Sequence, residues 1–259
     1  MLNATAVAAS GRDRSIIWLC IALITVLAWA YLLHLDREMS SSMAHDRMMA
    51  EMGMTMDMPR SSADVFFTFA MWAVMMIGMM AGPATPMLLL FAGMQRTRAS
   101  GSVPMALPWF GLGYLAVWTG FSACAAIAQE ALHRAALLSG GMAASSPRVA
   151  AAILIAAGAY QLSPFKGACL TSCRTPLGFL MSRWRDGALG AFRMGLSHGL
   201  YCLGCCWALM CVLFAVGVMN LLWVAGLTAL VLLEKVGPLG AVVARATGVI
   251  MILAGIVWL

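Results

Sequence analysis

The sequence predicts an all-α fold, a polytopic transmembrane helical bundle with about seven spans. Of its 259 residues, 63% are hydrophobic and only 10% are charged, and the mean hydropathy is +0.90. A soluble domain would carry about 25% charged residues. Several apolar runs also approach the length of about 20 residues that a helix needs to cross the hydrocarbon core of a bilayer. The lipid bilayer is therefore the first partner that the sequence implies.

The first apolar run, 16–35, follows Arg12 and Arg14. It is long for the apolar part of a signal peptide, and no convincing small-residue cleavage site follows it, so we expect a retained first span. Six further spans are predicted, at 65–94, 105–128, 149–162, 189–218, 221–233 and 239–259. The chain then divides into an N-terminal anchor (1–35), a Met-rich segment (36–63) and a six-helix core (64–259).

Two of these spans carry features that bear on their structure. The second contains Pro83 and Pro86, and proline inside a helix predicts a bend or a break. The sixth ends at Glu234 and Lys235. Charged residues at the end of a span are typical of the membrane interface, so we interpret this couple as paired there or reaching towards water.

The net charge of +6 bears on topology. With the N-terminus in the cytoplasm, eleven Lys and Arg residues flank the spans on the cytoplasmic side and five lie outside. The excess of cations on the cytoplasmic side favours this orientation and makes the Met-rich segment external. No basic surface interleaved with aromatic residues is evident, which argues against a nucleic-acid partner.

Methionine is unusually frequent, with 23 residues, and part of this excess lies in a polar setting. Between positions 39 and 58 the methionines alternate with Ser, His, Asp, Glu and Gly, so an apolar core does not explain them. Thioether sulfur is a soft ligand that favours Cu(I). The alternative is a low-complexity loop or an amphipathic interfacial segment. The candidate ligands are His45, Met48, Met49, Met52, Met54, Met56 and Met58.

A methionine stripe occupies the second span. Met71, Met75 and Met79 recur every four residues, and Met76 and Met80 form an adjacent row. Side chains four residues apart share one helix face, so this stripe could relay Cu(I) along the helix. The alternative is ordinary packing, because methionine fills gaps between helices well.

The densest group of candidate ligands lies in the fifth span, where His198 is followed by Cys202, Cys205 and Cys206. At 100° per residue, these four side chains and Met194 fit within an arc of roughly 120°. They are therefore expected to converge on one buried point. A histidine with two or three thiolates suits Cu(I) or zinc.

A second thiol pair, Cys169 and Cys173, lies in the connection before that span. If this connection is helical, both thiols share a face and could complete the site or receive metal from it. The alternative is two free thiols in a reducing compartment. Cys20 and Cys124 stand alone among apolar residues, which indicates packing.

Four segments together resemble a known family: M-W-A-V-M-M-I-G-M-M-A-G-P (71–83), Y-Q-L-S-P-F-K-G-A-C-L-T-S-C-R (160–174), G-L-Y-C-L-G-C-C-W-A-L-M (199–210) and G-V-M-N-L-L-W (217–223). With the later E-K pair, they are similar to a bacterial family of predicted metal-binding integral membrane proteins, a domain of unknown function. The resemblance covers about residues 65–258. It implies metal binding by Cys169, Cys173, Cys202, Cys205, Cys206 and His198, in the bacterial inner membrane.

The leading hypothesis is a membrane protein that handles copper(I) by capture, relay, transport or delivery to a metallochaperone or a larger membrane complex. The sequence has no phosphate-binding loop, so direct coupling to ATP is not supported. We favour a non-enzymatic role. The alternatives are a thiol–disulfide oxidoreductase that uses Cys202/Cys205 and Cys169/Cys173, and an assembly factor or subunit of a metal-dependent complex.

Overall fold

The computed structural model describes residues 10–52, 62–98, 103–138 and 143–259, and the regular elements of these residues are all helices. The helices are α1 (Gly11–Glu51), α2 (Ser62–Arg98), α3 (Val103–Arg134), α4 (Pro147–Gln161), α5 (Pro164–Arg174), α6 (Pro176–Arg183), α7 (Gly187–Cys211), α8 (Leu213–Val216), α9 (Leu221–Val236) and α10 (Gly240–Trp258). The predicted all-α fold is confirmed.

Seven membrane spans are not confirmed. Within the described ranges, five helices are long and apolar enough to cross a membrane, namely Gly11–Ser42, Ala63–Thr97, Ala106–Arg134, Gly187–Val216 and Gly240–Trp258. The predicted fourth span is the 15-residue α4, which meets α5 at an angle of 61°; the two together could form a sixth, broken span. The predicted sixth span is α9, whose 16 residues reach about 24 Å, short of a bilayer core of about 30 Å.

Local sequence signals explain where the helices of the second half begin and end. Ser163 precedes Pro164 and its hydroxyl accepts a hydrogen bond from the Lys166 backbone N–H, so Ser163 is the N-cap of α5. Asn220 caps α9 in the same way. Gly217, between α8 and α9, has a φ of +105°, which favours glycine. This turn makes α7 and α9 separate helices.

Two helices extend further than the sequence indicated. α2 runs from Ser62 to Arg98 as one helix that includes Pro83 and Pro86, so the expected break is not seen. α1 continues beyond the predicted first span to Glu51 and takes in the start of the Met-rich segment.

The helices pack around a core to which α2, α3, α7 and α9 all contribute. α3 lies along α7 and α2, α5 packs on α7, and α4 packs along α10. The methionine stripe of α2, Tyr114 of α3 and the cysteines of α7 belong to the same buried cluster. The candidate ligands of α2 and α7 are therefore brought together inside the bundle.

Candidate metal centre

The thiols of α7 lie on the buried side of that helix. His198, Cys202, Cys205 and Cys206 are all buried, as the helical spacing predicts. The thiols of Cys205 and Cys206 both donate to the carbonyl oxygen of Cys202, at 3.1 and 2.8 Å. Each thiol satisfies its hydrogen bond locally, and this part of α7 presents sulfur to the interior of the bundle.

Lys235 of α9 supplies a buried cation directly beside this sulfur. Its Nζ donates to Cys202 Sγ at 2.8 Å and lies 3.7 Å from Cys206 Sγ and 4.0 Å from the Sδ of Met80. Only 8% of Lys235 is exposed. The ammonium is a hydrogen-bond donor and brings a positive charge to these sulfur atoms. Three helices thus contribute to one charged sulfur site.

Tyr114 of α3 closes the site from a fourth helix. Its hydroxyl donates to the backbone carbonyl of Met80 at 3.2 Å and lies 3.0 Å from Cys202 Sγ. The hydroxyl therefore links α2 to α7 beside the thiol that Lys235 contacts.

The second thiol pair lies on the helix α5, and both of its thiols face α7. Cys173 Sγ lies 3.9 Å from Cys205 Sγ. Cys169 packs against Gly204, where an added Cβ would come within 2.8 Å of its sulfur. Tyr160 donates from its hydroxyl to the Gly204 carbonyl at 2.5 Å, which holds the end of α4 on the same region.

His198 lies one turn before Cys202 in an aromatic setting. Its ring stacks on Tyr114 with centroids 5.7 Å apart, and Phe179 meets it edge-on at 5.7 Å. Among the described residues, its buried Nδ1 has no hydrogen-bond partner. A buried nitrogen without a partner is costly, so it marks a place where an ion, a water or a moving side chain would be accommodated.

A small cavity of about 170 Å³ adjoins these groups. It is lined by His198, Cys202 and Lys235, by Cys173 and Arg174 of α5, and by the prolines of α2. Cys173 of α5 and Cys202 of α7 therefore border the same cavity. It is large enough for several waters or for a side chain to change position.

A buried ion pair stands next to the sulfur site. Lys166 Nζ lies 2.6 Å from Glu234 Oε2, Gln161 donates to the other carboxylate oxygen at 2.8 Å, and Lys166 also donates to Gln161. Arg174 donates to the backbone carbonyl of Glu234 at 2.7 Å. This network joins α4, α5 and α9 and fixes the end of α9 that carries Lys235.

The interfacial interpretation of Glu234 and Lys235 is wrong. Both side chains are buried, and they serve different sites, because consecutive residues on a helix point about 100° apart. Glu234 joins the ion pair with Lys166, whereas Lys235 reaches the thiols. One signal in the sequence could have indicated this: Lys166 and Lys235 are the only lysines, and every other cation is arginine.

The methionine stripe of α2 is completely internal. Met71, Met75, Met76, Met79 and Met80 are each at most 4% exposed and pack in the main core. Met80 reaches the sulfur site through its contact with Lys235. Packing in the core accounts for the burial of this stripe, and its role as a copper relay stays a prediction.

The Met-rich segment is described only in part. Met48 and Met52 are exposed, and Met49 is partly buried, at the end of α1. His45 lies within α1, but its side chain falls outside the described residues, as do Met54, Met56 and Met58 altogether. The proposed copper capture by this segment therefore stays a prediction.

No complete set of His, Cys, Asp and Glu ligands is assembled in the described ranges, where no three such side chains stand together in a way that could hold a metal ion. The α7 residues share one buried face, but the thiols of Cys205 and Cys206 donate to the Cys202 carbonyl. A metal would have to recruit these thiols by rotating them, or use sulfur from another helix. That all four α7 side chains bind one ion stays a prediction.

Comparison with known proteins gives one family. The family model described as PpoB2, copper chaperone, matches residues 69–258, which include most of α2 and the whole of α3 to α10. The match contains the whole sulfur site with Lys235 and Tyr114. No curated protein and no solved structure matches the chain.

Proposed function

The chain belongs to the PpoB2 copper chaperone family, and from that premise we propose that it binds copper(I) inside a membrane-embedded helical bundle and delivers it to a partner. The observation that carries the proposal is the meeting of Cys202, Cys206 and Met80 around one buried point. Two thiols and a thioether form a soft donor set, which selects Cu(I) over harder cations.

The remaining ligand candidates suggest how copper would enter and leave. Cys173 lies between the cavity and Cys205, so the α5 pair, Cys169 and Cys173, would exchange metal with the α7 cluster. His198 lines the same cavity and offers a nitrogen ligand. Zinc would also accept thiolate and imidazole, but the thioether of Met80 and the family favour copper.

The cellular setting belongs to the same proposal. Five long apolar helices are compatible with a membrane protein. We place it in the bacterial inner membrane with the N-terminus in the cytoplasm, since the count of Lys and Arg favours that orientation. The Met-rich segment would then collect copper(I) on the outer side. The recipient would be a metallochaperone or a copper-dependent membrane complex.

The test is the copper content of the detergent-purified protein, with copper and zinc both present during expression. We expect about one copper or more per chain, because Cys202, Cys206 and Met80 are brought together within a single chain. Cys202→Ser and Cys206→Ser should each lower the bound copper strongly. Cys20→Ser and Cys124→Ser are matched controls, because these exposed thiols lie outside the cluster. Equal copper in all four variants would contradict the proposal.

A second candidate function rests on one distance. Cys173 Sγ and Cys205 Sγ are 3.9 Å apart, close enough for a disulfide after a small movement. A thiol–disulfide exchanger would use this pair, and it would purify without metal and with these two cysteines oxidised. Mass spectrometry of alkylated protein distinguishes this outcome from copper binding through free thiols.

A further inference from the structure

The two lysines of this chain are both buried, whereas its cations elsewhere are fourteen arginines. Lys166 is paired with the carboxylate of Glu234. Lys235 instead has three sulfur atoms around its ammonium group, those of Cys202, Cys206 and Met80. Because a buried charge is costly unless its surroundings compensate it, this placement calls for an explanation.

The sulfur atoms around Lys235 are the same donor set that would hold Cu(I). A lysine ammonium and Cu(I) both carry one positive charge. The ammonium lies among these donors, nearest to Cys202, and copper cannot contact all three sulfur atoms while Nζ stays 2.8 Å from Cys202. Only one of the two cations fits there at a time.

We propose that Lys235 is a tethered cation that occupies the copper position in the metal-free protein and is displaced when Cu(I) binds. This inference rests on the proposed copper function. Cu(I) brings one positive charge into the protein, no electron moves, and the displaced lysine keeps its proton. One thiol that becomes a thiolate ligand releases its proton to water, so the net charge of the protein does not change.

The cavity beside Lys235 can accommodate the displaced ammonium group. Lys235 lines the cavity of about 170 Å³, and the same cavity is lined by His198, whose buried Nδ1 lacks a partner among the described residues. A lysine stem has four rotatable carbons, so Nζ can turn from the sulfur atoms into the cavity. There it can donate to Nδ1 when the imidazole proton is on Nε2, which gives this buried nitrogen a partner.

A tethered competitor gives a delivery protein a means of release. Because Lys235 is attached to α9, its effective concentration at the site stays high whether or not copper is present. The ammonium weakens copper binding and helps to expel the ion when a recipient offers other ligands. Lys235 is thus a positioning residue that sets affinity and release, and it is not a metal ligand.

The first experiment compares copper affinity in Lys235→Leu and in the wild-type protein. Leucine removes the charge without adding a donor atom. In anaerobic competition with a Cu(I) chelator, we expect the variant to bind Cu(I) about tenfold tighter or more and to release it more slowly. Arg245→Met is the matched control, because it removes an exposed cation of α10. An unchanged or weaker affinity in Lys235→Leu would overturn the proposal.

The second experiment needs no variant, so it decides the matter even if Lys235→Leu fails to fold. Reductive methylation labels amines, and mass spectrometry then reads Lys166 and Lys235 separately. Adding Cu(I) should raise the labelling of Lys235 and leave that of Lys166, which stays in its ion pair, unchanged. Equal or lower labelling of Lys235 in the copper-loaded protein would show that the ammonium stays beside the sulfur.

The outcomes separate this inference from the function on which it rests. If the wild-type protein binds no Cu(I), the proposed function fails and this inference fails with it. If Cu(I) binds while the affinity of Lys235→Leu and the labelling of Lys235 do not rise, the copper function stands and the displacement is refuted.

Discussion

At the level of single residues, the centre of this protein depends on how buried charges are compensated. Glu234 and Lys235 are neighbours in the chain, yet the Glu234 carboxylate pairs with Lys166, whereas the Lys235 ammonium contacts sulfur. The Lys166–Glu234 pair is at most 2% exposed, and Gln161 supplies further hydrogen bonds. If either partner of such a buried pair is removed, the other charge stays buried without compensation, and the protein is strongly destabilised.

Glu234→Gln should therefore destabilise the protein strongly. It leaves the Lys166 ammonium buried without its counter-charge, and breaking a buried pair in this way costs about 3–5 kcal/mol. Thermal unfolding in detergent measures the loss. The double variant Lys166→Met/Glu234→Leu removes both charges and should be more stable than Glu234→Gln. A single variant within about 1 kcal/mol of the wild-type protein would show that the pair contributes as little as a surface pair.

At the level of helices, the crossing of α3 and α7 brings Tyr114 to Cys202. Glycines allow this close approach from both sides. A Cβ on Gly113 would collide with the Phe192 carbonyl oxygen of α7, and a Cβ on Gly195 would collide with the Phe110 carbonyl oxygen of α3. Small residues at such crossings let two backbones approach closely in membrane proteins.

Gly113→Ala should separate these two helices, because the added methyl group meets backbone that cannot rotate away. We expect the free energy of unfolding to fall by about 1–3 kcal/mol, as in other overpacked interiors. Gly120→Ala on the same helix is the matched control, since its Cβ would meet nothing within 4 Å.

Because alanine favours helix more than glycine, Gly120→Ala should be neutral or stabilising by up to about 1 kcal/mol. Thermal unfolding in the same detergent compares the two variants. Similar stability for both would show that the crossing is looser than its geometry indicates.

At the level of the whole molecule, many large hydrophobic side chains lie on the surface. Those of α1, α9 and α10 include Leu222, which is 81% exposed, and Val257, which is 82% exposed. A surface of this kind is compatible with a protein that faces lipid. The matched family begins at residue 69, within α2, so α1 and the Met-rich segment lie outside it.

Copper capture by the Met-rich segment should therefore be separable from binding in the bundle. We expect a variant with Met48, Met52, Met54, Met56 and Met58 all changed to leucine to keep the copper of the α7 cluster. Any additional copper that the thioethers hold should be lost. Metal analysis at limiting and saturating copper measures both. Loss of all copper would show that the two parts bind as one site.

Some features of this protein could be predicted from the sequence because they depend on local regularity. A high content of apolar residues predicts helices that satisfy their backbone groups internally, and the structure is all-α. The period of 3.6 residues places Cys202, Cys205 and Cys206 on one face, and that face is buried. The number of spans was less predictable, because Ser163 and Asn220 mark where helices begin but do not give the 61° angle between α4 and α5, which depends on how the helices pack.

The sequence by itself determined that soft ligands and apolar helices coexist in this chain. Only the tertiary structure decided which of these groups meet. Lys235 and Met80 are 155 residues apart, and Tyr114 and Cys202 are 88 apart, so no local pattern relates them. Their contacts arise from helix crossings, which depend on the shapes of whole helix surfaces. For the same reason a lysine that looks interfacial in the sequence lies at the centre of the sulfur site.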